Sequence, residues 1–278
     1  MNKSKINLWF IFWPVQILAL LGIIFTSPNW LYLLLGWITF CGLGSSVILH
    51  RVVSHNSIKL KTWLRKPLLF LSCLCVQGSP LWWAATHRGK HHPNADKDGD
   101  PHSPKDGFFH SYIGWIHNKK LSKINTKVIP DLRKDKYHLW LNSNYTYIVI
   151  ATFIILSLIN IEFMLWFWLI PAALSYHQEA FVNSICHLGK FGYRTYNTKD
   201  NSTNIPILSW MTWGQSLHNN HHNDITRYNF ANKNEYDPST IFLPLIELPE
   251  LISIDTKASV GLITKYPPDL SLTSESNI

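Results

Sequence analysis

Between Ile6 and Leu49 the chain contains no Asp, Glu, Lys or Arg. A surface helix of a soluble protein keeps a charged face toward water. An uncharged run of this length excludes that arrangement and suffices for two membrane spans of about 20 residues each. Charge is scarce throughout, at 15% of residues against 46% hydrophobic, which is the balance of a membrane protein. Cysteine is scarce too. Cys41, Cys73, Cys75 and Cys186 form no CxxC pair, which excludes an iron–sulfur or zinc-ribbon pattern and leaves reduced, buried thiols as the expectation. An HPGG haem-binding signature is also missing.

The sequence "SPNW", Ser27 to Trp30, breaks the uncharged run and predicts spans near 8–26 and 31–50. A second apolar pair near 144–160 and 163–182 is split by the short turn Asn160 to Glu162. The expected architecture is an all-α integral membrane fold with four transmembrane helices in two hairpins. Segments 51–143 and 183–278 would form a cytoplasmic helical cap, and 1–278 a single domain. The first span is too long, and lacks the small-residue pattern, for a cleaved signal, and reads as retained. All 25 Lys and Arg fall at Lys3 and Lys5, within 50–143, or after 183. The positive-inside rule then places that face, with both termini, in the cytoplasm. The net charge of +8 is thus first a topology signal, and no nucleic-acid partner is expected. Residues 67–86 are uncharged for the length of a span, but Gln77, Gly78, Ser79 and Pro80 interrupt their helical pattern. An interfacial or re-entrant segment is expected there. The tail after Tyr266 reads as polar and mobile.

Against this layout, nine of the 14 histidines form four clusters on one face. They are His50 and His55 in "HRVVSH", His87, His91 and His92 in "HRGKHH", His187 with Asn183 in "NSICH", and His218, His221 and His222 in "HNNHH". Residues four apart share a helix face, whereas adjacent residues diverge by about 100°. Clusters of this form therefore offer ligands to two metals at once. Imidazole suits iron, zinc and copper alike. His110, His117, His138, His177 and His102 read as solvated or capping residues, and His138→Ala is expected to do little. Asp96, Asp98, Asp100, Asp224, Glu235 and Asp237 flank the clusters, and some are expected to orient ligand imidazoles.

The order HxxxxH, HxxxHH, NxxxH, HxxHH across paired membrane helices resembles the membrane-bound fatty acid desaturases of the stearoyl-type (delta-9) group. "DGDPHSPKDGFFHSYIGW" (98–115) is similar to the stretch after that family's second histidine box. "FVNSICHLGKFGYRTYNTKDNSTNIPILSWMTWGQSLHNNHH" (181–222) is similar to the stretch joining its Asn-containing box to the third. The resemblance runs from about residue 30 to about 240. It implies a non-haem di-iron enzyme that inserts a cis double bond, at delta-9, into a saturated acyl chain with O₂ and two electrons. It also implies two iron ions, one held by His50, His55, His87, His92 and His221. The other would take His91, His187, His218 and His222, with Asn183 reaching it through water. The delta-9 group usually has HxxHH in its second box, whereas Gly89 and Lys90 lengthen it here. On an ideal helix His91 is the better companion of His87; a bulge at Gly89 would make it His92. Both arrangements stay open at this point.

The substrate would be an acyl-CoA or acyl-lipid, and the electron donor a ferredoxin or a cytochrome b5-like carrier. Basic residues of 119–136 would dock an acidic donor or face lipid headgroups. In the acyl-CoA enzymes an Arg-Asp pair commonly precedes the second box; Ala85 and Thr86 stand there here. Trp82, Trp83, Trp115, Trp210 and Trp213 are the candidate lining of an acyl tunnel. The spans offer no set of Glu and Glu-x-x-His ligands of the kind used by soluble di-iron bundles. Two other classes compete: a sister membrane di-iron hydroxylase of a lipid or hydrocarbon, and a membrane metal carrier. A carrier should place ionisable groups at mid-span, but residues 6–49 contain no Asp, Glu, Lys, Arg or His.

Overall fold

The structure is a computed structural model that describes residues 8–118 and 126–247. The tail after Tyr266 and the lysines among residues 119–125 lie outside the described residues. Helix α1, Leu8–Phe25, is followed by α2, in which Trp30–Gly36 runs on into Trp37–Ser54. Helix α3 spans Thr62–Cys73, and α4 joins Pro80–Thr86, His87–His91 and His92–Asn94. Helix α5, Lys136–Ile159, precedes α6, built of Ile161–Phe163, Met164–Leu169 and Ile170–Ile185. Helix α7 is the short His218–Asn223. A two-stranded antiparallel pair, Lys59–Leu60 with Ile246–Glu247, is the one sheet among the described residues.

The two polar turns expected from the sequence end these helices. Asn29 caps α2 by accepting from the Tyr32 N–H at 3.1 Å, and Asn160 caps α6 by accepting from the Phe163 N–H at 2.9 Å. The turns lie side by side: Asn29 Nδ2 donates to Glu162 Oε1 at 2.9 Å, and Trp166 Nε1 donates to Thr26 Oγ1 at 3.0 Å. From there α2 and α6 run together to the opposite end, where the histidines sit. Two helices, Trp30–Ser54 and Lys136–Ile159, are long and apolar enough to cross a membrane; Phe10–Phe25 is apolar but shorter. Apolar side chains near the turns, such as Phe25, Trp30, Leu158 and Ile159, are exposed. The interruption expected within 67–86 is present. After α3 ends, Val76 and Gly78 take positive φ values of 58° and 99° before Pro80 opens α4.

The segment after α7 is pinned to α2 by a buried ion pair. Arg51 Nη2 donates to Asp237 Oδ2 at 2.9 Å, both side chains being fully buried. Arg51 Nε donates to the Tyr228 carbonyl at 2.8 Å, and the guanidinium lies 4.0 Å from the Phe230 ring centroid. Asp237 also accepts the N–H groups of Phe230 and Ser239 at 2.9 and 3.0 Å. Each charge is thereby paired and hydrogen-bonded.

His138 corrects an expectation. It is buried at 2% exposure in α5, not solvated, because α5 packs this face against the core that holds Leu141 and Tyr145. His138→Ala is expected to cost on the order of 1–3 kcal/mol, read from the unfolding midpoint in detergent.

Candidate metal centre

In an α-helix, residues five apart diverge by about 140° and cannot both face one metal ion. Yet the His50–His55 and His87–His92 pairs do converge, because the backbone there is wider than α. The His55 N–H donates to the His50 carbonyl at 3.1 Å, and the His92 N–H to the His87 carbonyl, both i to i+5 bonds. This register runs through Trp37–Ser54 and His87–His91 and brings the fifth residue back over the first. A third such stretch, Met164–Leu169, holds no histidine. Gly89 lies inside the second, and a Cβ there would meet Val128 Cγ2 at 2.3 Å. His218 and His222, four apart, share a face of the ordinary helix α7.

The ring nitrogens gather in two groups. His50, His55, His87, His92 and His221 form one, and His91, His187, His218 and His222 the other, with ligand atoms of each group within 4.8 Å of one another. The wide turn thus places His92, rather than His91, beside His87: their Nε2 atoms are 3.0 Å apart. The Nε2 of His87 also lies 2.9 Å from that of His55, and His221 Nε2 lies 3.1 Å from His50 Nε2 and 3.2 Å from His92 Nε2. A neutral imidazole Nε2 carries one proton or one lone pair, so it cannot serve two such contacts. Burial, then the neighbouring imidazoles, push His55, His87, His92 and His221 well below the usual histidine range. These rings are neutral, and a cation at their centre would accept all five lone pairs.

The second group makes the same case through its outer atoms. His91 Nδ1 donates to both oxygens of Asp100 at 3.1 Å, His187 Nδ1 to Asp96 at 3.0 Å, and His222 Nδ1 to Asp200 at 2.9 Å. His218 Nδ1 donates to the Gln215 carbonyl at 3.1 Å. With every Nδ1 carrying the proton, every Nε2 presents a lone pair inward. Those of His187 and His218 are only 2.9 Å apart, and His91 Nε2 is buried without a partner. Burial raises Asp100, Asp96 and Asp200, but the facing histidines outweigh it and hold all three below the usual carboxylate range. His222 is lowered to about 4 by burial, with Asp200 opposing. His187 alone moves up, its burial outweighed by the hydrogen bond and charge of Asp96. The donor sets fit two metal ions. Asp200→Asn is expected to weaken metal binding at this group about 10–100-fold, read by chelator competition.

Of the flanking acids, Asp96 and Asp100 orient imidazoles, whereas Asp98 is exposed and Asp224 bonds Thr226. Glu235 holds Asn220 and Asn232, and Asp237 holds Arg51. Asp200 was missed by the sequence reading; only its place in the fold brings it to His222. His102 also departs from the solvated role expected of it. It is buried with its ring 4.4 Å from that of His91. His177 is partly buried between Tyr112 and Gln16.

A narrow cleft, with a cavity volume of about 50 Å³, reaches the first group at His87. Trp82, Trp83 and Trp115 line it together with His87, His102, Glu179 and Asn183. Trp210 and Trp213 are not among its lining residues. Trp210 is 59% exposed and stacks on Tyr236, while Trp213 is buried against Trp37 and Phe242. Glu179 is the carboxylate that the sequence reading passed over within the fourth apolar segment.

A helical fold with paired histidine groups beside a tryptophan-lined cleft is the arrangement of a metal-binding protein. The fatty acid desaturase family model matches residues 28–225. Delta-9 acyl-lipid desaturase 2 of Arabidopsis thaliana is 35% identical over 212 residues, covering 75% of this chain and 68% of that protein. The sn-1 stearoyl-lipid 9-desaturase of Anabaena variabilis is 36% identical over 230 residues, covering 80% and 83%. The Acyl-CoA C20 Delta5-desaturase of Anemone leveillei is 34% identical over 196 residues, covering 67% and 62%. The chain belongs to the fatty acid desaturase family. It is an oxidoreductase that desaturates fatty acyl chains.

Proposed function

We propose that this chain is a delta-9 acyl-lipid desaturase with two iron ions. One would be held by His50, His55, His87, His92 and His221, the other by His91, His187, His218 and His222 with Asn183 nearby through water. The observation that carries the reading is the pair of converging lone-pair sets beside an apolar cleft. Iron there would supply the oxidising power, drawn from O₂ and two electrons, that no side chain has. The chain's own residues do the rest. Asp96, Asp100 and Asp200 fix the imidazole orientations, and the tryptophan-lined wall holds the acyl chain away from bulk water.

A lipid-borne substrate is favoured by the uncharged, buried Ala85 and Thr86 before the second box, where a CoA-binding pair would need charge. The printed names of the Arabidopsis and Anabaena relatives point the same way. We read the whole chain as one domain with α1, α2, α5 and α6 as its four spans, and with α3 and α4 dipping in without crossing. The histidine end, rich in Lys and Arg, would face the cytoplasm. It would receive electrons there from a ferredoxin or a cytochrome b5-like protein.

The test is the lipid profile, by gas chromatography with mass spectrometry, of a desaturase-deficient host expressing the chain with a donor system. A new delta-9 monounsaturated acid in membrane lipids is expected. A hydroxylated product, or one formed only on acyl-CoA, would overturn the reaction or the substrate class respectively.

A further inference from the structure

The cleft wall holds one carboxylic acid, Glu179. Its side chain is buried at 8% exposure, and it makes no ion pair among the described residues. Ser45 Oγ and Gln215 Nε2 both donate to Oε1 at 2.6 Å, so Oε2 takes neither bond. On α6, Glu179 and Asn183 stand at i and i+4 and both line the cleft, and His187 of the second histidine group follows two residues after the helix ends at Ile185. Gln215 ties the same carboxylate to the metal centre by a second route. Its carbonyl accepts from His218 Nδ1. The other ionisable groups on the wall are Tyr176, which donates to the Tyr112 carbonyl, His102, which packs on His91, and His87, which belongs to the first group.

Desaturation removes two hydrogens from the acyl chain and reduces O₂ with two further electrons. The balance, R–CH₂–CH₂–R′ + O₂ + 2 e⁻ + 2 H⁺ → R–CH=CH–R′ + 2 H₂O, requires two protons from solvent at a buried site. We propose that Glu179 delivers those protons across the cleft, taking each from water at its mouth and releasing it toward the metal centre. Electrons come from the external donor protein. This role rests on the desaturase reading above.

Glu179→Gln keeps an oxygen for both donors and removes only the exchangeable proton. The experiment uses the full-length, iron-loaded protein with its donor, and follows double bonds formed, O₂ consumed, peroxide released and iron per chain. In E179Q, double-bond formation should fall about 10²-fold, peroxide released per O₂ should rise, and iron content should hold. E179D should recover a substantial part of the rate. In the infrared difference spectrum between oxidised and reduced protein, a carboxyl C=O band should be present in wild type and absent from E179Q. E179Q that turns over at the wild-type rate without peroxide overturns the role, as does loss of iron in E179Q and E179D alike, which would mark Glu179 as structural. A wild-type chain that consumes O₂ but forms no double bond overturns the desaturase reading, and this role with it.

Discussion

His221→Ala is expected to abolish desaturation and to remove the metal of the first histidine group, so that a chain loaded with two metal ions keeps one. His221 Nε2 lies within 3.2 Å of both His50 and His92, so it stands at the middle of its group, not at the edge. Its loss should exceed the roughly 10–100-fold cost of removing an outer partner. His91→Ala, His187→Ala and His222→Ala should do the same to the second group while leaving membrane insertion intact. His117→Ala, an exposed ring stacked on Trp13, should change neither iron nor product. Iron per chain and product per milligram of membrane protein, measured on the same preparations, check the prediction. Full activity in any of the four variants would remove that residue from the ligand set.

Asp237→Ala should cost about 3–5 kcal/mol, because it strands the fully buried Arg51 guanidinium and two backbone N–H groups. Arg51 adjoins His50, so the damage should reach the first histidine group as well. The expected result is a large drop in the unfolding midpoint in detergent, with iron lost together with stability. Asp237→Asn, which still accepts hydrogen bonds but lacks the charge, should fall between. An unchanged midpoint in Asp237→Ala would mean that segment 224–247 is held by its other contacts alone.

The histidine clusters were legible in the sequence because metal ligation restricts both residue type and local spacing. The hairpin turns at Ser27–Trp30 and Asn160–Glu162 were legible because a break in a charge-free run has few other meanings. What escaped were partners made by tertiary contact. Asp200 meets His222 across 22 residues, Arg51 meets Asp237 across 186, and Glu179 meets Ser45 across 134. Nothing local distinguishes Asp200 from Asp98, which points outward. That Trp210 and Trp213 lie off this cleft could not be read for the same reason, since an aromatic near a cluster does not say which way it faces. The choice between His91 and His92 was undecidable from spacing because it turns on the hydrogen-bond register of the backbone.

That register changes how a gap between ligands should be counted. An extra residue in a rigid α-helix swings everything beyond it by about 100°, which would carry one imidazole out of the centre. Here the additional residue is absorbed by widening a single turn around Gly89, and His92, Asp96 and Asp100 beyond it still arrive where they are needed. A pattern written with fixed gaps would discard this chain for being one residue too long, although its geometry has lost nothing. The quantity preserved is the position of the lone pair in space, and the number of residues between two histidines is only one of several ways to reach it.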